Sequence, residues 1–207
     1  MVTMQLSGIL FDMDGVLIDS SSSWLEAFNH ALNTYGHEAV SMEEFMDTYW
    51  GDDLRDILAR LDLDVGIADF CTNVYPEHLG SVRIMPDTKR VLKELSDYPK
   101  AIVTNTAYDC TAHILEEFGI GDAFDTIMTA DRAGKGKPAP DILFAACDEL
   151  GISSDEVVLV GDTNVDVRAG ATAKIPVIGV GVKADITISS IGELPGIIAS
   201  IASSMLL

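Results

Sequence analysis

Basic residues are scarce in this sequence, which holds 13 lysines and arginines against 33 aspartates and glutamates and has a net charge of −20 at pH 7. A protein that binds nucleic acid needs a basic face toward the phosphate backbone, so this charge balance argues against a nucleic-acid partner. Two explanations of the acidic composition stay open, namely an ordinary well-hydrated surface and adaptation to a salt-rich cytoplasm.

Cysteines are few, and no apolar run is long. Cys71, Cys110 and Cys147 lie far apart and are odd in number, which argues against a disulfide framework and against a zinc site with paired cysteine ligands. Residues 1–10 contain no basic region ahead of an apolar stretch, so we expect no signal peptide. The apolar stretch over residues 197–207 is interrupted by serines and is too short to span a bilayer. We therefore expect a soluble, cytoplasmic protein.

What the sequence does contain is an alternation of strand and helix patterns. Strands are predicted over 7–11, 100–104, 125–129, 157–160, 176–180 and 186–188. Helices are predicted over 20–36, from 41 onward, and over 52–61, 65–79, 87–96, 108–118, 140–150, 165–172 and 193–203. Short links between such elements are typical of an α/β fold with a mainly parallel sheet and helices on both faces. Residues 20–82 show helical patterns only, which indicates an insert after the first strand.

Side chains suited to phosphoryl chemistry follow three of these strands and precede one helix. They are Asp12 and Asp14 after the first strand, Thr104 and Asn105 after the second core strand, Lys137 in a loop rich in glycine and proline, and Asp162 with Asp166 after the fourth core strand. The carboxyl ends of parallel strands meet at one edge of a sheet, where open α/β sheets bind ligands. The placement therefore predicts one shared site.

Each segment suits one part of phosphoryl transfer. Asp12 can attack phosphorus and form an acyl phosphate, while Asp14 can protonate the leaving oxygen and then deprotonate the attacking water. The Thr104 hydroxyl and the backbone N–H groups around Asn105 can hold phosphoryl oxygens, and Lys137 can offset their negative charge.

The carboxylates also suit a magnesium ion, which prefers an octahedral shell of oxygen ligands. The predicted ligands are Asp12, Asp14, Asp162 and Asp166. Taken alone, each segment also fits a structural role as turn aspartates, a helix cap, a solvated lysine loop or a first-turn acid. The four segments in this order favour the catalytic interpretation.

In this combination the chain resembles the haloacid dehalogenase superfamily of phosphohydrolases, most of all its phosphoglycolate phosphatase-like and β-phosphoglucomutase-like group. Asp12 and Asp14 match the first motif of the superfamily, Thr104 the second, Lys137 the third, and Asp162 with Asp166 the fourth. The resemblance implies a Rossmann-like three-layer core over residues 1–16 and 83–207. It also implies an α-helical cap of the C1 type over residues 17–82.

The same resemblance implies Mg²⁺-dependent hydrolysis of a small phosphate monoester through an aspartyl-phosphate on Asp12. Two alternatives stay open, a sugar phosphomutase of the β-phosphoglucomutase type and an inactive binding or regulatory homologue. The acid at Asp14 disfavours carbon–halogen cleavage. Residues 20–82 contain no lysine, which argues against the phosphonate-cleaving relatives, since these use a cap lysine.

The expected partner is a small phosphorylated metabolite, bound by a monomer or a homodimer, with no membrane partner. Residues 20–82 hold 12 acids against only Arg55 and Arg60. Such an insert should discourage long polyanions. Arg55 is a candidate for substrate specificity, and an ion pair with a neighbouring acid on its own helix is the alternative.

Overall fold

The computed structural model describes residues 6–50 and 54–203. They fall into two compact units. The core unit consists of the described residues up to Ile18 and from Ile84 onward, and the insert unit runs from Asp19 to Arg83.

The strands and helices follow the alternation that the sequence predicts. The strands are β1 (Gly8–Phe11), β2 (Ile18–Asp19), β3 (Arg83–Ile84), β4 (Lys100–Thr104), β5 (Thr126–Thr129), β6 (Val157–Gly161), β7 (Val177–Val180) and β8 (Ile186–Ile188). The α-helices are α1 (Ser21–Thr34), α2 (Met42–Glu44), α3 (Leu54–Arg60), α4 (Gly66–Val74), α5 (Thr88–Glu94), α6 (Tyr108–Phe118), α7 (Ala130–Ala133), α8 (Asp141–Leu150), α9 (Asn164–Ala173) and α10 (Leu194–Ser203).

A six-stranded parallel sheet with helices on both sides forms the core unit, as predicted. Its strand order is β5-β4-β1-β6-β7-β8. In the register of the sheet, Leu10 on β1 lies opposite Ala101 on β4 and Leu159 on β6. The side chains of these three strands are mostly β-branched or aliphatic and are buried on both faces of the sheet, as is typical of parallel sheets. Strand β1 lies between β4 on one side and β6 on the other, so the later strands are added on opposite sides of β1, and a crevice is expected at its carboxyl end.

The apolar core lies between this sheet and helices α8 and α9. Ile142 and Leu143 on α8 are fully buried against the strands, and Ala169 is the matching buried residue on α9. A Cβ on Gly170 of α9 would overlap Val177 on β7, so a glycine there lets the helix lie close to the sheet. None of the helices in the described residues is both long enough and apolar enough to cross a membrane.

The insert unit is helical, with α1 packed against α4 and against the 3₁₀ segment Tyr75–Ser81. Its predicted second helix begins as expected, because the Ser41 hydroxyl accepts a hydrogen bond of 3.1 Å from the Glu44 N–H. That helix continues as a π-helix over Phe45–Tyr49. The predicted helix over 65–79 is α-helical only to Val74, since a proline follows at the start of the 3₁₀ segment.

Several elements differ from the sequence prediction. Strands β2 and β3, which pair as a separate two-stranded sheet where the chain enters and leaves the insert unit, were not predicted. Each is two residues long, too short to show an alternating pattern. The short helix α7 was also not predicted. The first residues of the predicted helix over 52–61, Asp52 and Asp53, lie outside the described residues.

Candidate active site

The predicted site residues lie at the carboxyl edge of the parallel sheet. Asp12 follows β1 directly, Thr104 is the last residue of β4, and Asp162 follows β6. These strands are immediate neighbours in the order β4-β1-β6. The prediction that the segments meet at one edge is therefore confirmed.

Lys137 is buried among these carboxylates. Its Nζ lies 2.8 Å from Asp12 Oδ1 and 2.7 Å from Asp166 Oδ1, and the residue is 3% exposed. Burial lowers the pKa of the Lys137 ammonium, but attraction to Asp12 and Asp166 outweighs it and holds the pKa above its usual range. The side chain is thus a fixed positive charge and not part of a solvated surface loop.

Asp12 is buried and held in one orientation. Its Oδ1 accepts hydrogen bonds of 2.8 Å from the Met13 N–H and from Lys137. Burial raises the pKa of Asp12, Lys137 lowers it, and the neighbouring acids raise it further, so the pKa lies well above its usual value. Both hydrogen bonds from the described residues fall on Oδ1, which leaves Oδ2 for a metal or for phosphorus.

Asp14 is held by two threonines, of which the sequence analysis identified only one. Its Oδ2 accepts a hydrogen bond of 2.8 Å from the Thr106 hydroxyl and one of 3.3 Å from the Thr104 hydroxyl. The Thr104 hydroxyl also accepts from the Thr106 N–H at 3.1 Å. The sequence signal that was missed is the spacing, since Thr104 and Thr106 share the turn after β4. Thr106 therefore orients the predicted acid/base.

Asn105 holds the lysine loop. Its Nδ2 donates to the Lys137 carbonyl and its Oδ1 accepts from the Lys137 N–H, each at 2.8 Å. A Cβ on Gly136 would overlap Asn105 Oδ1, so glycine is required beside this contact. The Lys137–Pro138 peptide bond is cis. The Asn105 side chain thus positions the lysine loop, a role that was not predicted. The predicted contact with phosphate involves the backbone N–H groups around Asn105 and stays a prediction.

Asp166 is fully buried and bonded at both oxygens. Oδ1 contacts Lys137, and Oδ2 accepts from the Thr163 N–H at 3.1 Å and from its hydroxyl at 2.7 Å. The bond from the Thr163 N–H is one half of a capping box at the start of α9, and in the other half the Thr163 side chain accepts from the Asp166 N–H. Asp166 is therefore a first-turn acid of α9, as its structural alternative expects, and it also contacts Lys137.

The three carboxylates of Asp12, Asp162 and Asp166 fit a divalent cation. Each places one oxygen within 4.8 Å of the others. Asp162 Oδ1 is buried and finds no hydrogen-bond partner among the described residues. Burial, followed by repulsion from Asp166, raises the pKa of Asp162 to about 7. A buried carboxylate oxygen without a partner is costly unless a cation or a proton joins it, and Mg²⁺ prefers such oxygens.

The turn after β1 passes close to the Asp162 carboxylate. Gly15 has a φ of 74°, and a Cβ there would overlap Asp162 Oδ2. Asp14, which was also predicted as a ligand, is not part of the three-carboxylate group found within the described residues. Its bonds to Thr104 and Thr106 hold its carboxylate at the same edge of the sheet.

Arg55 lies on α3 of the insert unit and forms an ion pair with Asp69 on α4. Both side chains are about half exposed. Arg55 thus does pair with an acid, as the alternative expects, but the acid lies on the next helix and not on its own.

Known proteins resemble this chain in sequence and in fold. The sequence model of the haloacid dehalogenase-like hydrolases matches residues 9–180. Pyrophosphatase PpaX of Oceanobacillus iheyensis is 30% identical over 177 residues, which covers 83% of this chain and 82% of the relative. Pyrophosphatase PpaX of Halalkalibacterium halodurans is 27% identical over 189 residues, which covers 88% of this chain and 87% of the relative. The crystal structure of a predicted phosphoglycolate phosphatase from Haemophilus somnus 129pt shares the fold with a TM-score of 0.78 at 22% identity, covering 94% of this chain and 98% of that one.

Proposed function

Because this chain belongs to the haloacid dehalogenase-like hydrolase family and is a phosphatase, we propose that it hydrolyses a small phosphorylated metabolite in two steps through Asp12. The observation that carries this proposal is the position of Lys137, whose Nζ contacts both Asp12 and Asp166 at the sheet edge. A buried ammonium beside a carboxylate with one unengaged oxygen is the arrangement that a carboxylate nucleophile needs.

In the first step, Asp12 Oδ2 attacks phosphorus and forms an aspartyl-phosphate. The bond between phosphorus and the leaving oxygen breaks, and protonated Asp14 gives its proton to that oxygen. In the second step, Asp14 takes a proton from water while the water oxygen attacks phosphorus. The bond to Asp12 then breaks and phosphate is released. Thr106 keeps Asp14 oriented through both steps.

Positive charge at the site limits the repulsion of the incoming phosphate. Four carboxylates lie close to one buried ammonium, and each of the others raises the pKa of Asp12. We propose that Asp12 and Asp162 hold Mg²⁺, with Asp166 supporting them through Lys137 and with Asp14 beside them. When bound, the ion supplies charge compensation and orients the phosphoryl oxygens. Lys137 supplies fixed positive charge at Asp12 Oδ1, and the backbone after Thr104 supplies hydrogen-bond donors.

Two substrate classes have support. A small phosphate monoester is the expectation from the motifs. Inorganic pyrophosphate is the second candidate, because the curated relatives described above are named pyrophosphatases. A phosphomutase must hold a sugar phosphate through basic contacts after the first transfer, and residues 20–82 offer only two arginines for that purpose. An inactive homologue should have lost a motif residue, whereas every motif residue is present.

We further propose that the insert unit, Asp19–Arg83, is the cap that the sequence predicts over residues 17–82. The chain enters and leaves it through β2 and β3, which pair with each other. Two paired crossings can serve as hinges that open for product release. Hydrogen exchange at Ile18–Asp19 and Arg83–Ile84 should fall when a substrate analogue binds, and unchanged exchange at both crossings would contradict a hinge.

The experiment that tests the function is a substrate panel with and without Mg²⁺. Pyrophosphate, phosphoglycolate, p-nitrophenyl phosphate and glucose 1-phosphate are incubated with the enzyme, and both free phosphate and isomerised sugar phosphate are measured. We expect free phosphate, dependent on Mg²⁺, and a loss of roughly a thousandfold or more in Asp12→Asn. Isomerised product without free phosphate would instead support the mutase. Equal turnover by wild type and Asp12→Asn would contradict the proposal.

A further inference from the structure

A cluster of two histidines and a glutamate lies on the insert unit and has no part in the phosphatase chemistry. His30 on α1 and His78 in the 3₁₀ segment Tyr75–Ser81 face each other, with His30 Nδ1 3.3 Å from His78 Nε2. The other ring nitrogen of His78, Nδ1, lies 3.6 Å from Glu26 Oε2. Ser81 donates a hydrogen bond of 2.8 Å to the other oxygen of Glu26.

The spacing of the two ring nitrogens is that of two ligands on one tetrahedral cation. Zinc binds imidazole nitrogen at about 2.0–2.1 Å, so two nitrogens of a tetrahedral site lie about 3.3–3.4 Å apart. The observed distance between His30 Nδ1 and His78 Nε2 falls at this value. A direct N–H···N hydrogen bond is the alternative that the experiment must separate.

Glu26 lies beside the ring nitrogen of His78 that faces away from the pair. Its Oε2 is 3.6 Å from His78 Nδ1, while Nε2 of the same ring faces His30 Nδ1. Histidines that bind metals regularly have a carboxylate at the second ring nitrogen. The Ser81 hydroxyl holds this carboxylate in place, and Phe70 meets the His30 ring edge to face with centroids 5.5 Å apart.

We propose that His30 and His78 bind one zinc-type divalent cation, with Glu26 as the positioning residue and water completing the shell. Imidazole nitrogen suits Zn²⁺, Cu²⁺ and Ni²⁺, whereas the carboxylates at the sheet edge suit Mg²⁺. The cation would cross-link α1 to the segment just before the chain leaves the insert unit. The acid-rich insert, with its 12 acids over residues 20–82, favours a cation electrostatically.

The chain contains only four histidines, so His37 and His113 provide matched controls. Zn²⁺ is titrated calorimetrically into the full chain with Mg²⁺ in excess, which occupies the carboxylate group. We expect one Zn²⁺ site that is lost in His30→Ala and in His78→Ala and kept in His37→Ala and His113→Ala. Glu26→Gln should weaken Zn²⁺ binding about tenfold or more.

Thermal unfolding gives an independent reading, in which Zn²⁺ should raise the melting temperature of wild type and of His113→Ala but not of His30→Ala. If His78→Ala does not fold, His78→Gln takes its place. Unchanged Zn²⁺ binding in both His30→Ala and the His78 variant would overturn the proposal and leave the two rings as a simple hydrogen-bonded pair. Because these measurements record binding and not turnover, their outcome is separate from that of the phosphatase assay.

Discussion

Replacing Lys137 with Met should destabilise the core unit by several kcal/mol, because Met keeps most of the side-chain volume but removes the ammonium. The Lys137 Nζ lies 2.8 Å from Asp12 Oδ1 and 2.7 Å from Asp166 Oδ1. At an effective dielectric constant of about 20, each contact supplies about 6 kcal/mol of gross attraction. Desolvation of the three charges offsets much of this. Removing one partner of a buried ion pair costs about 3–5 kcal/mol, which is the loss we expect for Lys137→Met.

The loss should depend on pH in a defined direction. Burial already raises the pKa of Asp12 above its unfolded value, and removal of Lys137 takes away the interaction that lowers it. A carboxyl group with a raised pKa in the folded state binds its proton more tightly there, so stability falls as pH rises from the unfolded pKa through the folded one. Lys137→Met should therefore cost more stability at about pH 8 than at about pH 5.

The assay is urea unfolding in EDTA at both pH values, followed by far-ultraviolet circular dichroism. Fluorescence is unsuitable for the core unit, since Trp24 and Trp50 both lie in the insert unit. Lys135→Met is the matched control, because that side chain is 72% exposed in the same loop. A loss below about 1 kcal/mol in Lys137→Met at both pH values would refute the argument, as would a loss that is equal at both.

Three further outcomes are expected. Mg²⁺ should raise the melting temperature more at about pH 8 than at about pH 6, because burial raises the pKa of Asp162 to about 7 and a proton then competes with the cation. Equal shifts in thermal scans would contradict this. Thr106→Val should lower kcat about fivefold by removing the hydrogen bond to Asp14, and Thr106→Ser should restore it, whereas an unchanged kcat in Thr106→Val would show that the bond is not needed. Arg55→Ala should raise KM for the best substrate of the panel, while Asp69→Asn, which breaks the same ion pair, should leave KM unchanged. Equal effects would assign Arg55 to the ion pair alone.

The parts of the fold that the sequence predicts are those set by local patterns. Strands such as β4 and β8, and helix α6, have the predicted bounds, since their signal is a run of apolar residues or a helical period within one segment. The carboxyl ends of parallel strands then place Asp12 and Asp162 at one edge. The two-residue strands β2 and β3 carry no such pattern and arise only from the pairing of distant chain segments.

The contacts that fix the site could not be read from spacing. Asn105 and Lys137 are 32 residues apart, and Thr106 and Asp14 are 92 apart. Each contact depends on how two loops meet at the edge of the sheet, which is a property of the assembled fold. The same holds for His30 and His78, which are 48 residues apart. The sequence pattern around each histidine does not indicate that the two rings face each other.

The central proposal is that Asp12 carries the phosphoryl group during turnover. The most direct test is to mix Asp14→Asn with p-nitrophenyl phosphate and Mg²⁺, quench with acid, and measure the mass of the peptide that contains Asp12. In this variant p-nitrophenolate can leave without a proton, while the attack of water is slowed because it needs a base. We predict a burst of p-nitrophenol and a phosphoryl adduct on Asp12 that hydroxylamine removes. A burst of p-nitrophenol with no adduct on the Asp12 peptide would contradict the covalent mechanism.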